Sequence, residues 1–395
     1  MNSKVLETHP HIRFQKIWDL TRKGFLLLGQ CEAYVKAISD APILPEDHQR
    51  LLYVSLIKGA MATTAIEGNT LSEEEVEKIL QDKHLPPSRK YQEIEVKNVI
   101  DALNHYLVEV VEEDKTSIIN IDLLLEFHRK IGKELGEQFD AIPGKFRNDN
   151  RVVGNYRAPD YKYVKELMKE LCDWLFKEFH YTKGQDFADV VIQAIVSHVF
   201  LEWIHPFGDG NGRTGRLLEF YILLRGGNPS IASHILSNHY NETRSEYYRQ
   251  LNNARKNRSL TEFIEYALLG FRDGLVQTLE IVQASHFKIA WERYIFNAFE
   301  KKRMKNKHVF KRRRKLMLNL PIDEEIWIPE IDLVNVEIAK LYGGLSDRTI
   351  SRDIDELEEM GLLERKGQYI KASSHTLMLT GHIPQQRRVN AAKTS

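Results

Sequence analysis

The side chains in this sequence that are best suited to act together lie in residues 205–216, HPFGDGNGRTGR. Gly208, Gly210 and Gly212 alternate there, directly before a strongly apolar run that predicts a helix. Glycines let the backbone turn tightly and let its N–H groups approach a ligand without a Cβ in the way. A helix start adds unpaired N–H donors and a positive dipole end, which together favour an anion. The stretch therefore predicts an anion-binding backbone.

Four charged or titratable side chains in this stretch indicate that the anion is a polyphosphate. Arg213 and Arg216 fall in the first turn of the predicted helix, where a cation is disfavoured by about 0.3–1 kcal/mol unless an anion is bound. Asp209 would repel phosphate unless a divalent cation lay between them, and one carboxylate with phosphate oxygens is usual for Mg²⁺. His205 is the residue of the loop that can take a proton near neutral pH. Taken singly, these residues also suit a plain glycine turn and a structural histidine, but together they predict phosphoryl or nucleotidyl transfer.

The elements that would position this stretch are helices. Apolar residues recur at helical spacing along most of the chain, and alternating strand-like runs are few, so we predict an all-α fold. Two helices, 163–179 and 187–203, precede the stretch, and the helix that begins inside it stops at residues 226–229, GGNP. The exception is residues 146–158, where Val152-Val153 and the residues after it predict a short β-hairpin.

The stretch is neither a Walker loop, because it has no Gly-Lys-Ser/Thr, nor a dinucleotide-binding fingerprint. It resembles the Fic-domain signature, HPFx(D/E)GNGRxxR, at every fixed position. The resemblance extends upstream through residues 142–147 and downstream through residues 241–251, and covers about residues 117–265. It implies a Fic-type helical core in which the hairpin around Arg151 to Ala158 is a flap that aligns a target peptide by strand addition.

The resemblance also assigns roles to single residues. His205 would deprotonate a Ser, Thr or Tyr hydroxyl of a target protein for attack on the α-phosphorus of ATP, and Asp209 would hold Mg²⁺ between the α- and β-phosphates. Phe207 would anchor the loop in the core. The residues implied in nucleotide binding are Gly210, Asn211 and Gly212 around the phosphates, Arg213 on the β-phosphate, Arg216 on the γ-phosphate, and Tyr240, Asn241 and Tyr248 near the base. As residues alone, Tyr247 and Tyr248 suit core packing equally well.

A second resemblance lies before the catalytic region. Residues 63–69, TTAIEGN, are similar to the inhibitory motif of the same family, (S/T)xxxE(G/N). It implies that Thr63 and Glu67 inhibit the enzyme in cis, with Glu67 paired to Arg216 in the place of the γ-phosphate. In that place Glu67 could also orient a water that removes AMP again, which would make the enzyme bifunctional. The alternative is a solvated helix residue before a Gly C-cap.

The C-terminal region carries a different pattern. Residues 331–341 and 346–360 predict two helices, and residues 362–370 alternate like a two-stranded wing, an order typical of a winged helix-turn-helix. Candidates for DNA contact on the second helix are Arg348, Thr349 and Arg352. The same helix carries six acidic residues, which count against strong phosphate binding. A protein-docking or regulatory module is therefore the alternative.

These patterns divide the chain into five segments. The prediction comprises an N-terminal helical region with the inhibitory motif (1–115), a Fic catalytic domain (116–275), a basic linker helix (276–315), a winged helix-turn-helix domain (316–375) and a flexible tail (376–395). The basic run inside the linker suits a solvated helix face at least as well as a nucleic-acid contact.

The composition is that of an ordinary globular chain, with 42% hydrophobic and 28% charged residues. The 56 basic and 56 acidic residues balance, which argues against a polyanion-binding role for the chain as a whole. Cys31 and Cys172 form no CxxC pair and are predicted to be reduced core thiols. We expect no apolar run long enough to span a bilayer and find no signal-peptide core, which predicts a cytoplasmic protein without a membrane partner.

The leading hypothesis is a Fic-type protein adenylyltransferase that uses ATP and Mg²⁺, modifies protein hydroxyls, including its own, and is inhibited through Glu67. One alternative keeps the fold but moves phosphate, UMP or phosphocholine; Arg213 and Arg216 together with Asp209 favour AMP, because both arginines then have a phosphate to hold. A second alternative is a DNA-binding transcriptional regulator with a nucleotide-sensing Fic domain. The assembly state is open, with a homodimer among the alternatives.

Overall fold

The computed structural model describes residues 3–43, 45–180, 185–302, 306–322 and 324–373, and the chain divides into two units, Met1–Val282 and Gln283–Ser395. Both are mostly helical, as predicted. The helices up to residue 301, the last of which contributes to both units, are α1 (Ser3–Thr8), α2 (Arg22–Ser39), α3 (Pro45–Ile66), α4 (Glu73–Leu80), α5 (Lys90–Leu107), α6 (Ile121–Ile131), α7 (Val164–Phe179), α8 (Phe187–Ile204), α9 (Asn211–Arg225), α10 (Ile235–Glu242), α11 (Arg244–Asn257) and α12 (Thr261–Lys301).

Helices α8 and α9 pack together at the centre of the first unit, and α3, α5, α6 and α7 pack around them. Every residue of α9 is buried, and so are most residues of α8. A helix that is apolar on all sides belongs in a protein core or in a membrane. The loop between α8 and α9 carries residues 205–210, so its two ends are fixed by the best-packed helices of the unit.

Helix α8 corrects one expectation. At 18 residues and a mean hydropathy of 1.5, it is the described helix whose length and composition would allow it to cross a membrane. The expectation that no apolar run reaches that length was therefore wrong. In this structure 78% of the helix is buried inside the unit, as the core helix of a folded domain would be.

A short turn joins α3 to α4. We call residues 67–69 the α3–α4 turn; Gly68 has a φ of +102° there, a conformation that glycine adopts without strain. Helix α4 then begins with a capping box, in which the Ser72 hydroxyl accepts from the Glu75 N–H and the Glu75 carboxylate accepts from the Ser72 N–H. Ser72 is therefore the N-cap of α4.

The predicted hairpin is present as strands β1 (Val152–Val153) and β2 (Tyr156–Arg157), which pair antiparallel with Val153 opposite Tyr156. The Tyr156 hydroxyl donates to the Trp203 carbonyl at 2.6 Å, which fixes the hairpin to the last turn of α8. Val152 is 64% exposed and Val153 is 42% exposed. The strand thus leaves apolar side chains and one edge available for another chain.

The second unit contains a small sheet and three more helices. These elements are α13 (Lys307–Asn319), β3 (Ile326–Trp327), α14 (Val336–Tyr342), α15 (Asp347–Glu359), β4 (Leu363–Lys366) and β5 (Tyr369–Ala372). The three strands form one antiparallel sheet in the order β3-β5-β4. The helix–turn–helix–hairpin order agrees with the predicted one, while the whole predicted tail, 376–395, lies outside the described residues.

The predicted linker helix 276–315 is instead parts of two helices, α12 and α13. Within the second unit, Arg312 and Arg313 each donate to the buried Asp353 at 2.7 Å. The basic run is therefore partly neutralised inside its own unit. Arg348 and Arg352 are exposed on α15, and Thr349 is half-buried beside Ser346.

Cys31 on α2 and Cys172 on α7 are free thiols buried in the protein core. Burial raises the pKa of both Cys31 and Cys172 to about 12. Both are therefore protonated and unreactive at neutral pH, as predicted.

Candidate active site

Two left-handed residues shape the loop between α8 and α9. His205 ends α8 with a φ of 49°, and Gly210 precedes α9 with a φ of 77°. For a side chain as large as histidine this conformation is uncommon and strained, and such residues concentrate at functional sites. The sharp exit from α8 directs residues 205–210 across the start of α9.

Three side chains hold this loop rigid. The Asn211 amide accepts from the Phe207 N–H at 2.9 Å and donates to the Phe207 carbonyl at 3.0 Å. The Asn211 side chain is therefore buried and closes the loop, and a contact of this residue with phosphate stays a prediction. Phe207 is fully buried, as predicted, and stacks on His128 with ring centroids 3.8 Å apart.

His128 was not among the predicted site residues, although it supports the loop directly. Its Nδ1 accepts from the Gly144 N–H at 3.0 Å, so Nε2 carries the proton and donates to the Asp209 carbonyl at 3.0 Å. Burial lowers the pKa of His128 to about 4, which keeps the ring neutral. Arg147 supports the other end of the loop, donating from Nε to the His205 carbonyl at 2.7 Å.

The His205 ring is the candidate base. Burial, and next the nearby Arg147 guanidinium, lower its pKa to about 4. Its Nδ1 atom is buried and has no hydrogen-bond partner among the described residues. The ring is therefore neutral at pH 7 and has nitrogen available to accept a proton.

Arg216 is held entirely by the segment around the α3–α4 turn. Its Nε donates to Thr63 Oγ1 at 2.6 Å, and its Nη2 donates to the Thr63 carbonyl at 2.9 Å and to Glu67 Oε1 at 2.6 Å. Burial raises the pKa of Glu67, but the charge and hydrogen bond of Arg216, together with the charge of Arg213, outweigh burial, and the net shift of the pKa is downward. Glu67 is therefore an ionised partner of Arg216.

The Glu67 carboxylate lies against the start of α9. A Cβ added to Gly212 would be 2.1 Å from Glu67 Oε1, so the carboxylate occupies the space that a side chain at this position would fill. An anion at a helix N-terminus is the arrangement predicted for a phosphate. Besides Arg216, the charge of Arg213 also acts on Glu67, and the neutral His205 ring lies nearby.

Arg213 has two carboxylate partners. Its Nη1 donates to Glu95 Oε1 at 2.5 Å, and its Nη2 donates to Asp209 Oδ1 at 2.8 Å. Sequence reasoning missed Glu95. The signal that could have found it is its position on the apolar stripe of α5, together with the buried residues at i+4, i+7 and i+11, Val99, Ala102 and Tyr106. A carboxylate on such a stripe requires a buried partner.

The residues predicted near a nucleotide base are not all in one place. Tyr240 is fully buried and donates to Glu219 Oε1 at 2.9 Å, so its side chain is part of the core. Tyr247 is buried as well, against His198. Tyr248 is 46% exposed, with its hydroxyl 3.5 Å from the Ile66 carbonyl at the end of α3, and Asn241 is half-buried.

The fit for a magnesium ion depends on Asp209. No cluster of three or more His, Cys, Asp or Glu side chains among the described residues could hold a metal by itself. Magnesium usually keeps one or two protein carboxylates and takes its other ligands from phosphates and water. The side chain of Asp209, 33% exposed at the mouth of the loop, fits that pattern when a nucleotide supplies the phosphates.

Comparison with known proteins gives a consistent result. Residues 118–223 match the Fic/DOC family. The chain is 34% identical over 204 residues to protein adenylyltransferase fic-1 of Caenorhabditis elegans, a match that covers 52% of this chain and 37% of that relative. The chain thus spans well under half the length of this relative.

Two solved structures share the fold. A crystal structure of a Fic family protein from Desulfovibrio desulfuricans G20 has a TM-score of 0.56 at 22% identity, and the match covers 91% of this chain and 98% of that one. A structure of Fic-1 from C. elegans has a TM-score of 0.53 at 25% identity and covers 66% of this chain and 73% of that one. Both support the helical architecture described above.

Proposed function

Because residues 118–223 match the Fic/DOC family, we propose that the chain is a protein adenylyltransferase that moves AMP from ATP to a hydroxyl side chain of a target protein. The observation that carries the proposal is the position of the Glu67 carboxylate. It lies at the start of α9, where the charges of Arg216 and Arg213 act on it and the His205 ring is nearby. An anion at this point lies among two cations and a base, as the phosphates of a bound nucleotide would.

The chemistry follows from the states of these groups. Neutral His205 accepts the proton of a Ser, Thr or Tyr hydroxyl as its oxygen bonds to the α-phosphorus of ATP. The bond from that phosphorus to the oxygen of the β-phosphate breaks, and pyrophosphate leaves. Arg213 and Arg216 would stabilise the charge on the β- and γ-phosphates. Asp209 would hold Mg²⁺, which would neutralise part of the phosphate charge.

The target would approach along the flap. Strand β1 has exposed apolar side chains at Val152 and Val153 and no strand partner other than β2 among the described residues. An extended segment of a target could add to this edge and place its hydroxyl near His205. Automodification would follow the same route.

The proposal includes inhibition in cis. Arg216 would have to exchange Glu67 and Thr63 for the γ-phosphate before ATP could bind in a productive pose. Removing Glu67 therefore takes away the charge partner of Arg216 and clears the helix start together, and leaves Thr63 to be exchanged. In the wild type, the same carboxylate would be placed to orient water toward an AMP-modified side chain, which would add AMP removal to the activity.

The test is AMP transfer from labelled ATP, with the full chain and its own hydroxyls as acceptors. We expect Glu67→Gly to raise automodification at least tenfold over wild type, because the carboxylate that pairs with the buried Arg216 and excludes the γ-phosphate is lost. Glu67→Gly combined with His205→Ala should return the signal to background. No gain in Glu67→Gly would contradict the proposal, and so would a signal that persists when His205→Ala is added.

Mass spectrometry of the modified chain separates AMP from the other groups. An added mass equal to AMP supports the proposal, whereas that of phosphate, UMP or phosphocholine would show that the fold moves a different group. To test removal, the Glu67→Gly variant first modifies the chain, and wild-type enzyme is then added with Mg²⁺. Release of free AMP would support the bifunctional form of the proposal.

A further inference from the structure

Arg213 and Arg216 are both tied to the same short segment of chain. Glu67, at the start of the α3–α4 turn, pairs with Arg216. Asn69, at the end of this turn, donates from Nδ2 to Glu95 Oε2 at 2.7 Å, and Glu95 in turn pairs with Arg213. Two residues of the turn thus reach the two arginines, one directly and the other through Glu95.

Asn69 is a rigid link in this arrangement. Its Oδ1 accepts from the Leu71 N–H at 3.0 Å, and its Nδ2 donates to the Gln92 carbonyl at 3.1 Å as well as to Glu95. Its own N–H donates to the Thr64 carbonyl at 3.1 Å. The side chain therefore connects the end of α3, the approach to α4 and the face of α5, and it leaves Glu95 little freedom to turn.

The charges around Arg213 make Glu95 more than a packing residue. The side chains of Arg213 and Glu95 are 2% and 6% exposed, so their pairing is desolvated. Asp209, the other partner, is 33% exposed and is the carboxylate that would turn to a metal ion when nucleotide binds. Once Asp209 turns away, Glu95 is the partner that still holds the guanidinium in place.

We propose that Glu95, oriented by Asn69, is a positioning residue that holds Arg213 against the β-phosphate during AMP transfer and offsets part of its positive charge. The inference rests on the proposed function of the site. The inference predicts that Glu95 has opposite effects on ATP binding and on AMP transfer. The carboxylate weakens the binding of a polyanion, and it speeds the transfer step by fixing the arginine.

The variants are made in the full chain carrying Glu67→Gly, so that nucleotide can bind. For Glu95→Gln we expect the Kd for ATP to fall about tenfold, because one negative charge near the phosphates is removed. The turnover number should also fall about tenfold, because Arg213 loses its fixed orientation. Asn69→Ala keeps the charge of Glu95 but removes the hydrogen bond that orients it. Turnover should therefore fall, while the Kd for ATP changes by less than about twofold.

Glu93→Gln is the matched control. Glu93 lies two residues earlier on α5 and is similarly buried, but it accepts from His84 and from the Leu85 N–H, away from the arginines. We expect it to leave both the Kd and the turnover number unchanged. A general loss of folding would weaken binding and turnover together, and thermal melting of each variant would show it.

Tighter binding with slower transfer in Glu95→Gln, and not in Glu93→Gln, supports the inference. Equal or weaker ATP binding in Glu95→Gln overturns it, as does unchanged turnover. The proposed function fails separately: if the Glu67→Gly parent transfers no AMP, that function is wrong, while the ATP affinities of the variants still report whether Glu95 offsets the charge of Arg213.

Discussion

Thr63 contributes two of the three hydrogen bonds that Arg216 makes to the N-terminal region, one from its hydroxyl and one from its carbonyl. The hydroxyl accepts from Nε, an N–H that has few alternatives in a buried site. Hydrogen bonds to charged groups contribute about 1.5–3 kcal/mol. The hydroxyl of Thr63 should therefore support inhibition alongside Glu67.

A conservative substitution tests this contribution. Thr63→Val keeps the shape of the side chain but cannot accept from Arg216, so we expect automodification to rise about tenfold, yet remain below that of Glu67→Gly. Thr64→Val is the control, because the Thr64 hydroxyl donates to the Ala60 carbonyl within α3 and does not bond to the arginine. Equal automodification in the two variants would show that the Thr63 hydroxyl plays no such part.

The pH dependence of the reaction should report the state of His205. Burial lowers the pKa of His205 to about 4. The neutral ring that accepts a proton therefore persists from pH 8 to well below pH 6, and it is lost only as pH falls toward 4. The Glu67 charge raises the pKa of His205, so its removal in Glu67→Gly should move the acid limb still lower. We expect kcat/KM of that variant to show no loss attributable to His205 between pH 8 and pH 5.5.

The measurement is initial-rate AMP transfer across this range, with circular dichroism confirming the fold at each pH. An acid limb centred near 6.5, the value of an unperturbed histidine, would mean that the ring is solvated in the working enzyme.

At the scale of elements, the helices around the site could be predicted well because their sequences are strongly apolar. Helix α8 was expected at 187–203 and is found at Phe187–Ile204, since nearly continuous apolar sequence leaves no other arrangement. The hairpin was also predicted, from Val152-Val153 and the turn residues after them. The split between α12 and α13 was missed, because a run of basic residues at helical spacing does not show where a helix ends.

The contacts of α15 lead to a stability prediction within the second unit. Asp353 is 1% exposed and accepts from Arg312, Arg313 and the Tyr342 hydroxyl. Asp353→Asn leaves two guanidinium groups without their counter-charge, and we expect the free energy of unfolding to fall by about 3 kcal/mol. This is the low end for buried pairs, because the two arginine side chains remain 20% and 12% exposed.

Asp355→Asn on the same helix is the control. Asp355 pairs with Arg365 at a side-chain exposure of 58%, and pairs of this kind contribute about 0–1 kcal/mol. Hydrogen exchange within α15 of the full chain localises any loss to this unit. Similar protection of α15 in both variants would show that Asp353 does not stabilise the helix.

At the scale of the whole molecule, the sequence showed which residues share the loop and the start of α9 better than it showed their distant partners. The glycines, Arg213, Arg216 and His205 are adjacent in the chain, so one local pattern carries them. Partners that are distant in sequence, such as Glu95 and His128, became visible only when the helices packed together. The hydrogen bonds of the Asn211 side chain within its own loop were not predicted either, because a sequence does not distinguish an amide that closes its own loop from one that faces a ligand.

The pairing of Glu67 with Arg216 has a consequence for the life of the protein in a cell. Arg216 is buried, and Glu67 matches its charge. Under the proposed function, a molecule released from inhibition would carry that cation unmatched until ATP bound. ATP would then stabilise the fold as well as react, and a released molecule with little ATP would be the one most exposed to unfolding and degradation. When ATP is scarce, the molecules released from inhibition would thus be degraded first.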